Sequence, residues 1–114
     1  MAHYAVSARP RIELLSELES RLERGEIEGM EPFGRALSRA LADARIRPDN
    51  TALWEEEDYC IPPLAQERHR LLERYFTNIA MAPVARGAGW RMIEHLPRLF
   101  PSLAMDKVIG GEIE

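Results

Sequence analysis

A single cysteine, Cys60, stands in the whole chain of 114 residues. One thiol excludes an internal disulfide framework and fits a reducing compartment. No run approaches 18 apolar residues, so no membrane-spanning helix and no membrane partner are expected. The start, Met-Ala-His-Tyr-Ala-Val-Ser, lacks a basic region followed by an apolar core, so no signal peptide is read. Positive charge is in deficit: 15 basic against 19 acidic residues leave a net −4. That balance argues against a phosphate-binding surface, and no nucleic-acid partner is expected. Cys-x-x-Cys and His-x-x-x-His pairs, a Gly-x-Ser-x-Gly elbow, a phosphate loop and a calcium-loop spacing are all missing. Gly87-Ala88-Gly89 lacks the remaining glycine of a dinucleotide fingerprint and reads as a hinge. These absences leave the cofactor unknown and assign no metal site. A cytoplasmic protein with one domain over 1–101 and a loosely held tail over 102–114 is the resulting expectation.

What the chain does have is a concentrated acidic run, Trp54-Glu55-Glu56-Glu57-Asp58-Tyr59-Cys60-Ile61-Pro62-Pro63. Acid runs usually mark a solvated helix face or a tail. Here aromatic borders oppose a tail, and the double proline marks a boundary. If the run is a strand, Leu53, Glu55, Glu57 and Tyr59 share one face, and Trp54, Glu56, Asp58 and Cys60 share the other.

The rest of the pattern places that strand in a sheet. Tyr4, Val6 and Ala8 alternate with Ala5, Ser7 and Arg9 until Pro10, which predicts a first strand. Leu14, Leu15, Leu18 and Leu22 predict a helix over 11–24, capped by Gly25. Phe33, Leu37, Ala40, Leu41 and Ala44 predict a second helix, and the turn chemistry of 46–51 predicts a hairpin pairing 45–47 with 51–59. Pro62 and Pro63 are expected to open a third helix, with Leu64, Leu71, Leu72, Tyr75 and Phe76 buried. Its wet side is expected to hold Glu67, Arg68, Arg70, Glu73 and Arg74. A strand over 78–84 follows, with Ile79 and Met81 opposed to Ala80, Ala82 and Val84. A short C-terminal helix then carries Trp90, Ile93 and Leu96.

Without its accessory helices this order is βαββαβ, a ferredoxin-like α+β plan with helices on one face of the sheet and an extra C-terminal helix. The architecture resembles that of dimeric α/β-barrel proteins, in which a second copy covers the bare sheet face. A homodimer is the expected assembly.

Chemistry centres on the acidic strand. Burying unpaired carboxylates costs several kcal/mol, roughly, unless arginines such as Arg35, Arg39 or Arg68 pair with them, the strand bulges, or a ligand or metal neutralises them. In a carboxylate-lined pocket, Glu55 or Glu57 would serve as general base, Tyr59 as a hydrogen-bond donor and His3 as a partner on the adjacent strand. Glu55, Glu57 and Asp58 also offer oxygen ligands to a hard cation. Cys60, near a helix start, is either a thiolate favoured by the dipole or a small buried hydrophobe. Trp54 and Trp90 are placed in a ligand pocket, in a dimer interface or in the core. Three function classes follow: a homodimeric binding or accessory module engaging a protein or small molecule, a small-molecule enzyme, and a metal- or redox-linked accessory protein using Cys60.

Overall fold

The computed structural model describes residues 2–58 and 60–100. The chain is a mixed α+β protein built on a four-stranded antiparallel sheet. Strand β1 (Ala2–Pro10) leads through a 3-10 turn, Ile12–Leu14, into α1 (Leu15–Glu23) and α2 (Gly34–Ala42). A hairpin of β2 (Arg45–Ile46) and β3 (Ala52–Asp58) follows. One helical stretch then comprises α3 (Ala65–Glu67), a π-helical segment (Arg68–Leu72) and α4 (Glu73–Tyr75). Strand β4 (Phe76–Val84) and helix α5 (Ala88–Ile93) complete the elements. The strands lie side by side in the order β2-β3-β1-β4.

Period-2 alternation sorts the two central strands. Val6 lies opposite Trp54, and Ala8 opposite Ala52. All four are buried in the core with Leu15 and Leu18 of α1, Leu37 and Leu41 of α2, and Leu71, Leu72 and Tyr75 of the third helical stretch. The Trp54 and Phe76 rings pack 5.2 Å apart at 52°, a tilted arrangement that avoids a face-to-face sandwich of their quadrupoles. Gly25 closes α1 with φ +76°, a conformation open to glycine at little cost. Ile79 and Met81 lean on the core while Ala80 and Ala82 are exposed, as their alternation predicts.

The opposite sheet face is not wholly bare. Ala5 pairs with Glu55, and Ser7 with Leu53, and α5 lies across this side. There Gly89 approaches Glu55 so closely that an added Cβ would stand 2.9 Å from a carboxylate oxygen. Beyond α5 the chain returns to the sheet: Ile46 N–H donates to the Pro97 carbonyl at 3.0 Å, and Leu99 N–H to that of Ala44 at 2.8 Å. Leu99 is buried in the core by this return, which the stop signal at Pro97 conceals.

The prolines behave differently from expectation. Pro62 and Pro63 lie in a bend and turn, and the helix begins only at Ala65. Leu64, with φ +60°, turns the chain into it. Asp58 causes the delay, because its Oδ2 accepts the N–H groups of Cys60 (3.0 Å) and Leu64 (2.7 Å) and wraps the loop around itself. That loop presses the first helical turn against the end of β3, and Glu67, expected on the wet side, is fully buried there. Phe76, expected as the last helical residue, is instead the first of β4.

Candidate functional site

β2 meets β3 only at Leu53 and Ala52, so the C-terminal half of β3 has no strand beside it on that edge among the described residues. A cavity of about 550 Å³ lies along this edge. Its walls come from α2 (Arg35, Ala36, Arg39, Ala40), the acidic end of β3, the loop to α3, and the start of α5. His3, Glu55, Glu57, Cys60 and Trp90 all line it. Trp54 does not. It is buried in the core, its indole N–H donating to Glu56 Oε1 at 2.9 Å. Tyr59 falls outside the described residues.

The carboxylates of β3 meet three different environments. Glu55 is nearly buried, yet fully provided for. Its oxygens accept the N–H groups of Gly87 (2.8 Å), Gly89 (2.8 Å) and Trp90 (3.2 Å), amides that have no carbonyl partner at a helix start. This carboxylate anchors α5, and its lone pairs are committed to that task. Glu57, next outward on the same face, is partly exposed. His3 sits between them, its Nδ1 4.0 Å from Glu55 and its Nε2 3.9 Å from Glu57. Those separations exceed hydrogen-bond reach, and His3 Nδ1 is buried with no hydrogen-bond partner among the described residues.

Glu56 and Asp58 point to the core side, where Glu67 meets them. All three are buried. Loss of hydration raises the Glu56 carboxyl well above its ordinary range, with the Glu67 and Asp58 charges adding to the rise. The Glu67 carboxyl is raised from 4.5 to about 7, first by burial and then by its contact with Asp58. Neither Glu67 oxygen meets an N–H donor in good hydrogen-bond geometry among the described residues, and its close contacts are the carboxyls of Asp58 and Glu56. Cys60 faces the same group, and burial followed by the neighbouring acids raises its thiol. This direction opposes the thiolate alternative and accords with the small buried hydrophobe, because burial and then the neighbouring acids disfavour the charged form.

The arginines do not neutralise the buried acids. Arg68 approaches Glu73 at 3.8 Å, while Arg35 and Arg39 reach the cavity without an ion pair or side-chain hydrogen bond among the described residues. Arg86, just before α5, lines the opposite wall in the same condition. Sequence reasoning casts Arg35 and Arg39 as structural partners of the acids and passes over Arg86. One signal was available: Arg35 and Arg39 are like charges at i,i+4 with no acid in α2, an unfavourable spacing unless something else compensates. Nothing in the periodicity marks Glu67.

Glu67 sets a pH dependence of stability. Its folded carboxyl keeps a proton up to about pH 7, whereas the unfolded one releases it near 4.5. The stabilisation is therefore full below about pH 4.5 and is lost as pH rises through about 7. Urea unfolding in the presence of a chelator should show ~1–3 kcal/mol less stability at about pH 8 than at about pH 5, since each tenfold difference in proton affinity between the folded and unfolded chain is worth ~1.4 kcal/mol. Glu67→Gln should reduce that slope, leaving the share that the raised Glu56 carboxyl contributes. An unchanged slope in the variant would contradict the assignment.

No known protein-family model, no curated protein and no solved structure matches the chain.

Proposed function

We propose that the chain is a binding domain for a small organic anion, held in the cavity beside β3. The observation that carries this reading is three guanidinium groups at the cavity wall without an ion-pair partner among the described residues. Glu55 is satisfied by three backbone amides, and Asp58 accepts two. Glu67 is held partly protonated near neutrality. Arg35, Arg39 and Arg86 have no such compensation among the described residues, and they face the cavity from two sides. Guanidinium groups bind carboxylates and phosphates bidentately. Phe33, Ala36, Ala40 and Trp90 supply an apolar wall for the body of such a ligand. Binding rather than turnover is the function read, with Glu57 and His3 as ligand contacts and Glu55 as the anchor of the wall. A cytoplasmic setting accords with the free thiol of Cys60.

A panel of small carboxylates and phosphate esters, tested by thermal shift and then calorimetry, should yield at least one binder. Arg39→Ala and Arg86→Ala should each weaken it roughly tenfold or more, since a charge-assisted hydrogen bond contributes about 1.5–3 kcal/mol. A panel without binders, or variants that bind as tightly as wild type, would contradict the reading.

A second reading concerns assembly. The strand order β2-β3-β1-β4 supports a ferredoxin-like plan, and α5 packs on β3 and β1, leaving Ala80 and Ala82 of β4 exposed among the described residues. Ala80 and Ala82, both small, apolar and exposed, form a strip there. We read this strip as the surface that meets a second copy, giving a homodimer in the manner of dimeric α/β-barrels. Light scattering should give twice the chain mass, and Ala82→Glu should give the single mass. A wild-type monomer at micromolar concentration would remove the dimer.

A further inference from the structure

We propose that Asp58, Cys60 and Glu67 form a binding site for one divalent metal ion of borderline softness, with zinc the best fit. The carboxylate oxygens and the sulfur lie within 4.8 Å of one another, drawn from the end of β3, the following loop and the first turn of α3. A tetrahedral ion with bonds of ~2.0–2.3 Å holds its donors roughly 3–4 Å apart, so small side-chain rotations close the set. Two hard oxygens and one soft sulfur suit zinc or cobalt better than magnesium or calcium.

Proximity of acids alone would not carry this. The independent observation is Glu56, which is not one of the three donors. Only 2% of it is exposed; its Oε1 takes the Trp54 N–H, while its Oε2 is buried without a donor among the described residues and the side chain stands against Glu67. Both Glu67 oxygens are equally without donors there, in a residue with no exposed surface. Buried polar atoms in folded proteins nearly always find partners, and crowded buried carboxyl oxygens without N–H donors are held together by a shared proton or by a cation. The two backbone hydrogen bonds to Asp58 Oδ2 fix that carboxylate beside Glu67, as outer-shell contacts fix a metal ligand. All three donors line the cavity, and half-buried Cys60 is the side from which an ion would enter and a water would take the fourth position.

The proposal stands apart from the anion-binding reading, because the ion can be tested alone. The full-length chain, stripped with a chelator and shown to be folded by circular dichroism, is titrated with zinc by calorimetry and with cobalt(II) by absorption. One equivalent should bind, and cobalt should give a sulfur-to-metal charge-transfer band. Cys60→Ser should abolish the band, and Glu67→Gln should weaken zinc at least tenfold. Should Glu67→Gln not fold, Cys60→Ser at its half-buried position decides. No uptake by the folded chain, uptake without the band, or wild-type affinity in either folded variant would overturn the proposal.

Discussion

The extended run of β3 through the sheet is the constraint on which the rest of the structure depends. A strand must send successive side chains to opposite faces, so a run of four acids cannot be solvated together. Glu55 is forced to the α5 side and Glu56 and Asp58 to the core side, while only Glu57 remains partly wet. The surrounding elements are positioned by how each of these carboxylates is compensated.

On the α5 side the compensation is complete. Three amides at the start of α5 converge on Glu55, and the absence of a side chain at Gly89 lets helix and strand approach that closely. On the core side it is partial. Asp58 organises the loop into α3 through two amides, but in doing so draws Glu67 into a dry space beside Glu56. In low dielectric such a group either keeps a proton or recruits a cation. The cavity beside the strand edge inherits both outcomes, with carboxylates on its floor and the guanidiniums of Arg35, Arg39 and Arg86 on its walls.

Much of the frame was legible from residue spacing. Leu37, Ala40 and Leu41 mark the buried stripe of α2, and Ile79 and Met81 the inward face of β4, because period alone decides which side of an element is apolar. The extended reading of the acidic run was legible too, and with it the split of its carboxylates between two faces. The fate of Glu67 was not. Helical spacing counted from the prolines sets it in water, while the side chain of Asp58, at the end of the preceding strand, delays the helix and turns Glu67 inward. The amides that satisfy Glu55 were equally hidden, since they lie more than 30 residues away and belong to the backbone, which carries no sequence signal. Trp54 was ambiguous for a simpler reason: a large aromatic beside acids reads the same whether it borders a site or fills a core.

The central claim is that two buried glutamates near the same strand are held in opposite electrostatic conditions, Glu55 satisfied and Glu67 not. Urea unfolding of Glu55→Gln and Glu67→Gln in metal-free buffer at about pH 8 tests it most directly. Opposite signs are expected: Glu55→Gln loses about 1–3 kcal/mol by turning an amide toward N–H donors, and Glu67→Gln gains stability by removing a buried charge that no cation pairs. Destabilisation of similar size in both variants would contradict it.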